Sequence, residues 1–179
     1  VLGLIGMGRI AQELAKRASA LGMQVVYTRR RGPDASLPQY QYLPLEELLQ
    51  KADNFCSSGE LYALALMVLH NTDFERTLNV ISKVRAHIPS STQIMINMGD
   101  FTLSQAEELK MAGANGSYHV WRLGEGTDTI FTKEERFATI ENIKKAGLDL
   151  YYCCEPIGPE HTPAQMAEII MKGLDYECF

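Results

Sequence analysis

Apolar runs and amphipathic stretches alternate along the whole 179-residue chain. The apolar runs are VLGLIG (1–6), MQVVYT (23–28), YALALMVLH (62–70), TQIMINM (92–98), GSYHVW (116–121) and LDLYYCCE (148–155). Stretches with helical spacing lie between and after them, at 9–21, 44–52, 73–87, 103–113, 132–146 and 162–173. A strand followed by a helix cannot turn straight back on itself. It must cross over and run parallel to its predecessor. Parallel strands are covered on both faces, which accounts for apolar runs that do not alternate with polar residues. The expected fold is therefore α/β, with six βα units forming a parallel, open, doubly wound (Rossmann-like) sheet. A partial (βα) barrel is the alternative, because a closed one needs eight units and roughly 200 residues or more.

Local signals mark the helix limits. Thr72-Asp73, Thr102 and Thr162-Pro163 precede helical stretches, the proline at a tolerated first-turn position. Gly22, Gly113 and Gly147 follow them, where a left-handed cap suits a residue without Cβ. Residues 54–61, NFCSSGEL, break the rhythm and read as a junction within a single α/β domain spanning 1–179, between a half at 1–53 and a half at 62–179.

Composition narrows the function classes. Charged residues are 22% and the net charge is -5, which gives no basic surface for nucleic acid; the only basic cluster is Arg29-Arg30-Arg31. The longest apolar run, LYALALMVL, falls short of the ~18 residues of a membrane span. With no signal peptide, a cytoplasmic protein is expected, and an opening strand without Met implies residues before Val1. Cys56, Cys153, Cys154 and Cys178 show no CxxC spacing, so reduced thiols are expected rather than a metal site. The eight methionines read as core filler. His70, His119 and His161 are isolated and read as structural, and no Ser-His-Asp arrangement emerges. Open sheet edges leave a homodimer as an expected assembly.

One motif carries chemistry. Gly6-Met7-Gly8-Arg9-Ile10-Ala11 fits G-x-G-x-x-G/A between a strand and a helix, the context that dinucleotide binding requires. Gly6 permits the tight turn, Gly8 lets a pyrophosphate approach, and Ala11 allows close helix–strand packing. The helix N-terminus offers N–H groups to phosphate. The second strand ends in Thr28-Arg29-Arg30 where an NAD site would place an acid, so NADP(H) is the expected dinucleotide.

The segment GLIGMGRIAQELAKRASALGMQVVYTRR, with YLPLEELLQKAD after it, resembles the nucleotide domain of D-2-hydroxyacid dehydrogenases of the glyoxylate/hydroxypyruvate reductase type, over residues 1–53. The resemblance implies that Arg9 and Ile10 lie along the pyrophosphate and that Arg29 and Arg30 meet the adenosine phosphate. The Arg, Glu or Asp, and His with which that family handles its substrate do not follow Asp53 in the family's pattern.

From Tyr62 the chain resembles a second family. ALALMVLHNTDFERTLNVISKVRAHIP, INMGDFTLSQAEELKMAGANGSYHVWRLGEGTDT and CCEPIGPEHTPAQMAEIIMKGLDY are similar to βα units of radical S-adenosylmethionine enzymes of the biotin synthase and hydrogenase-maturation type. That likeness implies S-adenosylmethionine among strand ends: Asn97 and Asp100; Tyr118, His119 and Arg122; Glu155, Ile157 and Gly158. Arg122 and Glu125 would meet the methionine carboxylate and amine, and Ile157 would pack on adenine. The C-x3-C-x2-C triplet is missing, so no iron–sulfur cluster is expected. Two partial likenesses joined at 54–61 point to a recombined scaffold without a complete catalytic site, retaining at most binding of a small nucleotide, either NADP(H) or S-adenosylmethionine. The alternatives are an NADP-dependent oxidoreductase acting on a small 2-oxo or 2-hydroxy acid, and a radical enzyme.

Overall fold

The computed structural model describes residues 1–57, 59, 61–68 and 73–178. His70 and Thr72, singled out above, lie outside the described residues. Among the described residues the chain is α/β throughout, with seven strands, all paired in parallel, and six helices. It divides into two compact units, Val1–Glu60 with His87–Pro89, and Leu61–Ala86 with Ser90–Phe179.

The first unit holds β1 (Leu2–Ile5), α1 (Arg9–Ala20), β2 (Val25–Thr28), β3 (Gln41–Tyr42) and α2 (Leu45–Cys56). Its sheet has the order β1-β2-β3. Side chains of β2 alternate between two buried faces. Val25 and Tyr27 join Ala15 and Ala18 of α1 in one cluster, while Val26 joins Leu43 and Leu48 in another. Gly3 of β1 lies under α2, since a Cβ there would stand 3.2 Å from Leu48 Cδ1. Helices therefore cover both faces of this sheet, as a doubly wound arrangement demands.

The second unit holds β4 (Ala63–Met67), α3 (Phe74–His87), β5 (Gln93–Asn97), α4 (Leu103–Met111), β6 (Gly116–Tyr118), α5 (Lys133–Lys145), β7 (Asp149–Tyr151) and α6 (Pro163–Asp175). Its sheet runs β4-β5-β6-β7, each strand beside its successor. Ile96, Ser117 and Leu150 stand in register across three strands and are fully buried. Ala106 and Leu109 of α4 and Ile140 and Ile143 of α5 are equally shut from water.

The parallel α/β class and all six helices agree with the periodicity. Two details differ. The hydrogen-bonded strands form two sheets rather than one of six strands, and β3 is an additional strand of two residues. The stretch read as a junction is in part helix, because α2 continues to Cys56. All four cysteines are free thiols. No helix among the described residues is long and apolar enough to cross a membrane.

Candidate functional site

The glycine turn is fixed by the strand beside it. Ile5 is in register with Thr28, and the Gly6 N–H donates to the Thr28 carbonyl at 2.8 Å. Gly6 then adopts φ +111°, which side chains rarely tolerate. Met7 turns inward and is buried, anchoring the bend. Gly8 is the N-cap of α1, and no side chain caps the helix there. Its φ of -78° is ordinary, and a Cβ built on it would meet nothing within 4 Å. Neither strain nor internal packing requires glycine at position 8. The first turn of α1 holds no acid, so its amide end keeps its positive character. Gly8, Arg9 and Ile10 are all exposed beside this opening.

At the end of β2 the two arginines part company. Arg30 is exposed. Arg29 is folded into its own loop, with Nε donating to the Gly32 carbonyl at 2.7 Å, Nη2 to the Pro33 carbonyl at 3.1 Å, and Nη1 to the Asp34 carboxylate. Hydrogen bonds from the Ser36 hydroxyl and N–H, together with Arg29, hold the Asp34 carboxyl below its ordinary range.

A second site lies wholly within the second unit. A cavity of about 170 Å³ opens at the carboxyl ends of its strands, lined by Asn97, Gly99, Tyr118, His119, Arg122 and Arg136 among others. Ligands of parallel α/β folds gather at such strand ends. Behind the wall lies an ionic network. Arg136 donates through Nε to Glu125 Oε1 at 2.7 Å and through Nη1 to Asp100 Oδ2 at 2.8 Å. The Glu125 side chain is 1% exposed and that of Arg136 is 9%, so this pair is removed from water. The other Glu125 oxygen accepts the Arg122 N–H at 2.9 Å. Asp100 Oδ1 accepts the Thr139 hydroxyl at 3.0 Å. His119 Nε2 lies 3.1 Å from the same oxygen, within ion-pair range but out of line for a ring N–H hydrogen bond. Burial opposes charge on Asp100, yet His119, Arg136 and Thr139 outweigh it and hold its pKa down to about 2. Burial drives the Tyr118 phenol upward, helped by Cys153, whose thiol lies 2.8 Å from the hydroxyl, and by Glu155.

The structure thus gathers some expected residues and separates others. Asn97 and Arg122 share the cavity wall, and Glu155 bonds Arg122 Nε at 3.0 Å. Glu125 is committed to Arg136 and leaves no carboxylate free for a ligand amine. Ile157 is 65% exposed and not on the cavity wall. His161 is tied into its own turn, its Nδ1 accepting the Gly158 N–H. Arg136 and Thr139 escaped the sequence reading. Their signal was present: positions 136, 139, 140 and 143 follow the helical i, i+3, i+4, i+7 spacing, and a charged residue on that apolar stripe needs a buried partner.

The family model for the D-isomer specific 2-hydroxyacid dehydrogenase, NAD binding domain, matches residues 1–121. The match crosses 54–61 without stopping there. A glyoxylate reductase of Pyrococcus horikoshii is 29% identical over 178 residues, 97% of this chain and 47% of that protein. A hydroxypyruvate reductase of Thermotoga maritima is 44% identical over 52 residues, covering 29% of this chain and 17% of its own. The chain spans under half the length of the curated relatives it matches. Among solved structures, the FeFe-hydrogenase maturase HydG of Carboxydothermus hydrogenoformans aligns with a TM-score of 0.53 at 19% identity, over 75% of this chain and 33% of that one, a likeness of fold alone. With the glycine turn, the two-sided packing of β2 and a match over residues 1–121, the chain belongs to the D-isomer specific 2-hydroxyacid dehydrogenase, NAD binding domain family.

Proposed function

We propose that the chain is the dinucleotide-binding part of an oxidoreductase acting on a small 2-oxo or 2-hydroxy acid. The observation that carries this reading is the space at Gly8. A glycine that neither backbone strain nor packing requires, at an uncapped helix N-terminus without an acid, suits a pyrophosphate that must come close to the backbone. Gly6, Gly8, Arg9 and Ile10 would hold that pyrophosphate. When bound, the dinucleotide would supply hydride-transfer chemistry through its nicotinamide, and the residues of the turn would fix its pyrophosphate in place. The substrate class is carried over from relatives named for glyoxylate and hydroxypyruvate, both small 2-oxo acids. Arg29 and Arg30 argue from sequence for NADP(H), but in the structure Arg29 is engaged by its own loop.

The test is a titration with NADH and NADPH, read by nicotinamide fluorescence, on the native chain and on Gly8→Asp. Saturable binding that weakens about tenfold or more in the variant is expected, since a carboxylate would fill the phosphate space and repel it. Equal binding by both proteins, or no saturation at millimolar ligand, overturns the reading.

A second reading, S-adenosylmethionine binding in the second unit, is favoured by the convergence of Asn97, Arg122 and Glu155 at the strand ends. Against it stands Glu125, which is spent on Arg136. Equilibrium dialysis against S-adenosylmethionine, with Arg122→Met as the control, separates the two readings.

A further inference from the structure

Helix α6 is apolar on two sides. Ile169 and Gly173 are buried against the second unit, where a Cβ on Gly173 would stand 2.8 Å from the Tyr152 ring. Pro163, Ala164, Ala167, Ile170, Met171 and Leu174 are all exposed. At 3.6 residues per turn these six fall within about 120° of arc, on a strip roughly 18 Å long. Ile170, Met171 and Leu174 are 52%, 57% and 63% exposed. A soluble helix with one partner turns polar residues to the water, so a second apolar strip marks a second partner. By the same spacing Glu168, Lys172 and Asp175 line one border of the strip.

The strip is graded by size. Its amino-terminal half carries proline and two alanines, and its carboxyl-terminal half carries Ile170, Met171 and Leu174. An antiparallel copy of the same strip inverts the gradient, so large side chains meet small ones. With a two-fold axis between positions 170 and 171, Leu174 of one copy falls on Ala167 of the other, and Ile170 falls on Met171. A parallel copy would crowd large against large and leave the alanines facing a gap. A two-fold axis also brings like borders together. Glu168 of one copy then comes level with Lys172 of the other, within one residue's rise, and the contact occurs twice. Inside one copy these charges hold only long, exposed pairs, Glu168 with Lys133 at 3.5 Å and Lys172 with Asp175 at 3.6 Å. We infer that the occupant of this face is a second copy of the chain, seated as an antiparallel α6–α6 pair about a two-fold axis. The pairing is independent of what the glycine turn binds.

Sedimentation equilibrium over a concentration series tests this. The native chain should pass from the mass of one chain to that of two, with a dissociation constant on the order of tens of micromolar, because one helix face offers less than the roughly 800 Å² per partner of a standard interface. Ile170→Glu places like charges on both sides of the axis and should weaken the dimer about tenfold or more, with circular dichroism unchanged because the side chain is exposed. Glu168→Lys and Lys172→Glu each set like charges face to face, and each alone should dimerise about threefold more weakly. An equimolar mixture of those two variants should recover native association, since the mixed pair has opposite charges at both contacts. A native chain that keeps the mass of one copy up to about 1 mM overturns the proposal. A dimer indifferent to Ile170→Glu places the contact on another surface, such as a sheet edge, and overturns it too. A mixture no stronger than its separate variants overturns the antiparallel seating.

Discussion

Arg136 is a guanidinium that water barely reaches, and Glu125 and Asp100 make its burial tolerable. Removing one member of a buried pair strands the other charge, at a cost of about 3–5 kcal/mol. Arg136→Met should therefore lower the urea midpoint of the second unit steeply. Adding Glu125→Gln should restore part of the loss, because the orphaned charge is gone. Asp100 gives the cluster a pH signature. Its carboxyl titrates at about 2 in the folded chain, against 3.8 for an unperturbed aspartate. A depressed carboxyl stabilises the fold fully above the unfolded value, and that contribution fades as pH falls from 3.8 toward 2. The amount is on the order of 2 kcal/mol, since each tenfold change in proton affinity is worth about 1.4 kcal/mol. Asp100→Asn should flatten stability against pH across that acid window, as measured by urea unfolding. A slope there equal to the native one would place the linkage on other carboxylates. The glycine turn was legible because it is written in adjacent residues. The ionic cluster was only half legible, since Asp100, Glu125 and Arg136 come from separate elements and their pairing is a product of the fold.

Helix limits were readable from sequence because capping is local chemistry. Thr102, Thr132 and Thr162 each accept an N–H from the residue three positions on, and Gln105, Glu135 and Gln165 return the bond. Asp73 likewise accepts the Arg76 N–H at the start of α3. Thr162→Ala should cost about 1 kcal/mol, the ordinary worth of such a cap, while Thr162→Ser keeps the capping hydroxyl and should cost nothing measurable; thermal unfolding of the two variants distinguishes them. Strands were less readable because pairing decides them. Gln41–Tyr42 is a strand only through its partners Val26 and Tyr27, and nothing in the local sequence marks it. Strands β6 and β7 stop at Tyr118 and Tyr151, several residues before their apolar runs end, and after β6 the chain goes on as His119, Val120 and Arg122 of the cavity wall. Gly116 has a reason that only the sheet reveals. A Cβ there would stand 2.7 Å from both the Asp149 carbonyl oxygen and the Tyr151 ring. Gly116→Ala should therefore cost about 1–3 kcal/mol through forced separation of β6 from β7.

At the scale of the whole molecule, the βα alternation foretold the class and the direction of pairing but not the division into two sheets. Every βα unit looks alike in its periodicity, so nothing local says which strand edge receives the next strand. That division has a thermodynamic consequence. The first unit numbers about 60 residues, a size at which a domain buries only about 60% of the surface of its unfolded chain and is marginal by itself. The second is larger, with a core running through β5, β6, β7, α4 and α5. It also contains Trp121, the sole tryptophan of the chain, packed 5.7 Å from the Phe137 ring with the Lys133 ammonium 3.9 Å over its face. Tryptophan fluorescence therefore reports the second unit, whereas far-ultraviolet circular dichroism reports both. The two probes should give non-coincident urea transitions, with part of the dichroism signal lost at lower urea than the fluorescence change. A dinucleotide held at the glycine turn would stabilise the first unit by about 2.7 kcal/mol at a hundredfold excess over its dissociation constant. Saturating NADH should accordingly move the early dichroism transition to higher urea and leave the tryptophan midpoint in place. Coincident transitions that shift together would mean that the two units unfold as one, and that the nucleotide site draws its stability from the whole chain.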